Sequence, residues 1–394
     1  MKQPPPSPIT PQAHLFESMV IGLQEAGRQS ATHWLDGPAL RRGLNGLAVA
    51  LATAAPLSAR GWQALLSRPV RDWWPATLPR AAAFESDFSL LEDGELSEEA
   101  NRFYYTVLVE EAGLAGSSAV AAARVLDNQV FAHLLARLRD KNRQPATAPA
   151  AQRDYVRLRQ FLIEHPLTTA AAIGEAFEDA RFIRVAEVGE LYEPAGPGPH
   201  WHCQHCGPLH VADGGLRGIR PRLCADHLPG SAAVLPGPAG PGEVLRLRPG
   251  HLWRVCLPGK PELALYAELL YLHQQYPQQL AAPVLWPGLD QYDLRLGWPA
   301  DGTHWAVDVK DQQNPRLLGQ SLYPLGTQHD LAYDRAFYVV PDRWLTPPHG
   351  STYLRTVRQN AKLPATHSIV GLQEFLGQVT QKVTLTTRAK RPRS

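Results

Sequence analysis

The feature that most constrains the fold is a change of hydrophobic period near residue 280. The string Gly-Lys-Pro-Glu-Leu-Ala-Leu-Tyr-Ala-Glu-Leu-Leu-Tyr-Leu-His (259–273) places apolar residues at 265, 269 and 272, which is helical spacing. Pro261 suits the first turn of such a helix, and Glu262 then meets the favourable end of its dipole. Beyond it the period falls to two. Val284-Leu285-Trp286, Tyr292–Leu296 and Ala306–Asp311 read as short strands, with a hairpin string Pro-Ala-Asp-Gly (299–302) between the last two. Another apolar strand follows at Ala336–Val340. Helix, three strands, helix and strand predict a C-terminal α/β domain built on a small sheet.

Two of these strands carry chemistry. Asp308 and Lys310 are two apart, so strand period puts both on one face, while Val307 and Val309 turn to a core. Asp293 lies on the neighbouring strand at hairpin distance. Two carboxylates hold a hard cation, Mg2+ or Mn2+, through oxygen, and a lysine beside them orients or activates water; metal-assisted phosphodiester hydrolysis needs this set. Glu262 and Glu268 are six apart and face different ways, so only one joins the site, and the first-turn position favours Glu262. Gln312 continues the Asp308 face but reads equally as a polar residue leaving a strand. Asp-X-Lys alone is often a solvated strand edge; the upstream glutamate and the Asp293 strand favour the catalytic reading. Residues 258–376 resemble the PD-(D/E)XK nuclease superfamily, with Asp293 as first acid, Asp308-Val309-Lys310 as the D-X-K, and Tyr292 at the namesake proline. The resemblance implies a restriction-endonuclease-like fold with catalytic Glu262, Asp293, Asp308 and Lys310.

A second constellation is cysteine spacing. Cys203 and Cys206 form C-x-x-C, Cys224 and His227 form C-x-x-H, and seventeen residues separate the pairs. Two tight turns of this kind fold around tetrahedral Zn2+, and four protein ligands make the metal structural. His202, His205 and His210 are alternatives to His227 as the fourth ligand. With only four cysteines in all, a secreted disulfide scaffold is disfavoured; Cys256 sits in a strand-like Trp-Arg-Val-Cys-Leu. Arg217, Arg220 and Arg222, between the knuckles, offer a loop to phosphate backbone or simply to solvent.

At 394 residues the chain is long enough for several domains. Residues 1–13 form a Pro-rich disordered lead, and 14–148 a helical domain with spacing at 14–29, 36–55, 96–113 and 117–142. Residues 150–195 read as a helix pair with a strand, either a winged helix or a plain linker domain. The zinc module spans 199–230, a Pro/Gly linker and strand 231–257, the nuclease 258–376, and a basic tail 377–394. The fold class is thus multidomain α plus α/β. A net charge of +2 is too small to mark the whole chain as a nucleic-acid binder. No apolar run reaches membrane-spanning length and no secretory signal opens the chain, which predicts a cytoplasmic protein without membrane contact.

A helical N-terminal half, a C-x-x-C…C-x-x-H module and a C-terminal D…D-X-K domain together resemble the restriction-endonuclease-like proteins associated with prokaryotic PIWI-RE proteins. That resemblance implies DNA as substrate, a PIWI-RE protein and a helicase as partners, and defence against plasmids or phages. The competing reading is a non-cleaving nucleic-acid-binding adaptor that keeps a nuclease fold as a docking platform. A zinc-ribbon regulator with an unrelated α/β domain is the third.

Overall fold

The fold is given by a computed structural model that describes residues 15–26, 37–51, 58–78, 89–92, 95–104, 119–212, 215–218, 234–238, 242–326, 331–346 and 352–389. The chain divides into two units, Met1–Val125 and Leu126–Ser394, and the division falls inside the helix Ala119–Asn142.

In the first unit, the helices Leu15–Ala26 and Pro38–Ala50 pack closely because glycines let them. A side chain at Gly22 would come within 2.3 Å of the Leu40 backbone, and one at Gly43 within 2.4 Å of Met19. Phe16 meets Trp74 and Phe103 edge-on, and Trp73, Trp74 and Tyr104 are buried, so these aromatic residues are core. Tyr105 lies outside the described residues.

The second unit carries a five-stranded sheet. Its strands are β1 (Val284–Leu285), β2 (Leu294–Trp298), β3 (Thr303–Val309), β4 (Arg335–Val340) and β5 (His367–Gly371), side by side in chain order. The first three pair antiparallel and the last three parallel. The Pro299–Gly302 turn joins β2 to β3 as expected: Gly302 has φ +71° and its N–H donates to the Trp298 carbonyl at 2.8 Å. β4, buried on both faces, is a continuous apolar run, Ala-Phe-Tyr-Val-Val, as a central parallel strand requires.

Helices cover both faces of the sheet. On one, α1 (Ala148–Glu164), α2 (Leu257–Gln275) and α5 (Leu372–Ala389) share a core with Leu294, Leu296, Val307, Val309, Phe337 and Val339. On the other, α3 (Pro315–Ser321) and α4 (Tyr353–Asn360) pack against Tyr338, Val340 and Ile369.

Several expected boundaries move. α2 does not begin at Pro261: helix starts at Pro249, passes through a π-helical stretch at Leu252–Cys256, and carries Pro261 in its interior. Pro258 and Pro261 have no N–H to give to the helical ladder, and the π-helical stretch directly precedes them. Cys256 is thus helical and buried, not on a strand, and Glu262 is not in a first turn. The basic tail is likewise not separate from 377, because Val379 and Val383 of α5 are fully buried. Lys382 pairs with Asp301 at 3.0 Å and sits over Trp298 and Trp305, so it is tied into the domain.

Upstream, the strands Leu167–Thr169, Val244–Leu247 and Tyr192–Pro194 form a three-stranded antiparallel sheet with Val244–Leu247 in the centre. Ala170–Phe177 and Val185–Gly189 are helical, so with α1 this region holds three helices and two short strands and not the expected helix pair with one strand. A separate four-stranded sheet holds Trp201–Cys203 and Gly207–Ala212. Cys224 and His227 lie outside the described residues. Among the described residues, no helix is long and apolar enough to cross a membrane.

Candidate active site

Strand register brings the two acids together. Leu294 pairs with Val307, so one step further on Asp293 faces Asp308 across the β2–β3 ladder. Asp293 is buried, and its Oδ2 accepts the Val309 N–H at 2.6 Å. Lys310 continues the Asp308 face, and its Nζ lies 2.7 Å from Asp308 Oδ2. Val307 and Val309 point into the core, as the two-residue period requires. The Asp308 side chain remains 13% exposed and that of Lys310 36%, so a ligand can reach both.

Glu262 reaches the same cluster from α2, whereas Glu268 is exposed. Both Glu262 oxygens accept from Arg159 Nη2 at 2.9 Å, and Oε2 also accepts the Trp286 indole N–H at 2.6 Å. The Arg159 guanidinium also pairs with Asp290, donates to the Tyr155 hydroxyl at 3.2 Å, and stands 4.0 Å from Asp293 Oδ1. Its plane lies over the Trp286 ring, 4.8 Å from the centroid.

Burial sets the electrostatics. It raises Asp293 well above the ordinary carboxylate range, with Glu262 and Asp308 adding repulsion. Burial also pushes Glu262 up to about 7, although Arg159 opposes it. Lys310 is pulled down by burial, but Asp308 and Asp293 outweigh that and keep its ammonium protonated above the usual lysine range.

The loop between β1 and β2 is strained. Trp286, Leu289 and Asp290 have φ of 42°, 59° and 77°, a region costly for residues with a Cβ, and Gly288 shares it. α1 clasps this loop. Gln152 donates to the Trp286 carbonyl at 2.9 Å and accepts the Leu289 N–H at 3.1 Å. Gln152, Tyr155 and Arg159 follow i, i+3, i+7 spacing, so one face of α1 makes all these contacts. Sequence reasoning placed Asp293, Asp308, Lys310 and Glu262 and missed Arg159, Asp290, Gln152 and Trp286. The available signal was a polar stripe on the apolar face of α1.

Among the described residues, no group of three or more His, Cys, Asp or Glu side chains is arranged as a metal cage. Mg2+ does not require one, since it is commonly held by one or two carboxylates with waters and substrate phosphates. Asp293 and Asp308 supply such an oxygen pair beside a protonated lysine, and this donor set fits a hard divalent ion.

The second motif is partly described. Cys203 and Cys206 are buried at either end of a tight turn, the His205 N–H donates to Cys203 Sγ at 3.3 Å, and Gly207 follows with φ +84°.

Residues 259–386 match the model of a family described as "REase associating with pPIWI_RE". No curated protein and no solved structure gives a significant match.

Proposed function

We propose that this chain, whose residues 259–386 belong to the family of restriction-endonuclease-like proteins associating with pPIWI_RE, is a metal-dependent DNA endonuclease. In this reading it works in the cytoplasm, with a PIWI-RE protein and a helicase, in defence against plasmids or phages. The observation that carries the nuclease reading is the convergence of Asp293, Asp308 and Lys310, with Lys310 Nζ 2.7 Å from Asp308 and the Val309 N–H bonded to Asp293. Asp293 and Asp308 would hold Mg2+ or Mn2+. The ion, when bound, supplies positive charge to the scissile phosphodiester and makes water more acidic. Lys310 lies beside two carboxylates that hold its ammonium above the usual lysine range, so it donates hydrogen bonds to water or to a phosphoryl oxygen. The Val309 N–H fixes the Asp293 carboxylate in place. Purified protein incubated with supercoiled, linear, single-stranded and R-loop DNA, with Mg2+ or EDTA, tests the reading.

One observation favours the adaptor instead: a protein cation, Arg159, already neutralises part of the cluster. The adaptor predicts no metal-dependent cutting of any of these substrates.

Cys203, Cys206, Cys224 and His227 are proposed as a structural Zn2+ site. The buried Cys203–Cys206 turn, with its N–H to sulfur bond, supports the first half.

A further inference from the structure

We propose that Arg159 is a positioning residue that restricts this centre to a single divalent ion, by standing where a second one would bind. The inference rests on the nuclease reading and adds to it a residue outside the family-matched segment. Two-metal nucleases hold their ions ~3.5–4 Å apart and share carboxylates between them. Here Glu262, Asp290 and Asp293 gather around one cation, as carboxylates around a second ion would. That cation is the Arg159 guanidinium. It takes both oxygens of Glu262 at 2.9 Å, pairs with Asp290, and approaches Asp293 Oδ1 to 4.0 Å. Both Glu262 oxygens are engaged by Arg159 and Oε2 also takes the Trp286 indole, so a second ion would have to compete with these contacts for the carboxylate.

The guanidinium is difficult to displace. It lies over Trp286, its helix is anchored to the strained loop through Gln152, and its Nε is buried without a partner, a cost borne to keep the fork on the carboxylates.

The test is the number of Mn2+ ions bound by the full-length protein, counted by titration against Asp308→Asn as the blank. The wild type should bind one ion more than Asp308→Asn. Arg159→Leu should bind two more, and Arg159→Leu with Glu262→Gln should return to one. Two ions in the wild type, or still one in folded Arg159→Leu, would overturn the role given to Arg159. No ion beyond the blank in the wild type would instead overturn the nuclease reading. If Arg159→Leu does not fold, Arg159→Gln with Asp290→Asn removes both charges of one pair and leaves Glu262 and Asp293 open. It should also bind two ions, and one ion there would refute the proposal.

Discussion

Glu262 shows how one buried side chain can answer to two partners. Its carboxylate is held by Arg159 and Trp286, and burial raises it to about 7 from an ordinary 4.5. The native state therefore keeps a proton on this group that the unfolded chain has already released at the same pH. Its contribution favours folding most below pH ~4.5, falls as pH rises toward 7, and is constant above that. Glu262→Gln should flatten this slope in chemical denaturation measured across pH 4 to 8, and an unchanged slope would show that the proton sits elsewhere. The same variant should lower cleavage far more than Glu268→Gln does, because it loosens the Arg159 contact beside Asp293, whereas Glu268 is exposed. Asp293, Asp308 and Lys310 were legible because strand period and a short hairpin are local rules. Arg159 was not, because 103 positions separate it from Glu262 and no local pattern joins them.

At the scale of elements, α1 and the Trp286–Asp290 loop act together. Three residues with positive φ cost roughly 1–3 kcal/mol each, and Gln152 offsets part of this by bonding the loop backbone at both ends. Gln152→Ala should destabilise the protein by ~1–3 kcal/mol, since it leaves buried backbone groups unmatched. Amide exchange should then quicken at 286–290 ahead of β3; uniform quickening would mean that the loop is held by other contacts. The strands here were legible from alternation and from the Asp301-Gly302 turn. The start of α2 was not. Proline usually marks a helix beginning, and only tertiary packing shows that this helix runs through two of them, with Gly259 pressed against Ile163 of α1.

At the scale of the whole molecule, the family-matched segment does not own its core. Residues from Leu134 to Val383 share one cluster, so the family-matched segment is joined to what precedes it by packing as well as by the chain. A fragment of residues 258–394 should fail to give a cooperative melt, while 126–394 should melt as one unit; a cooperative 258–394 would show that α1 is dispensable. The sequence suggested separate modules because composition marks linkers, whereas a shared core leaves no such mark. The zinc proposal belongs to this scale too. Elemental analysis should find one zinc per chain in protein purified without added metal, and Cys206→Ser should lose it and unfold the region around 200–228; zinc-free, well-folded wild type would refute the site. The central claim is that Asp293, Asp308 and Lys310 hydrolyse DNA with a divalent ion. The direct measurement compares Mg2+-dependent cleavage of supercoiled and R-loop DNA by the wild type, Asp308→Ala and Lys310→Ala, with folding checked by circular dichroism. Cutting by the wild type that is abolished by EDTA and by either substitution is the predicted result. Undiminished cutting by both folded variants, or none by the wild type on any substrate, would contradict it.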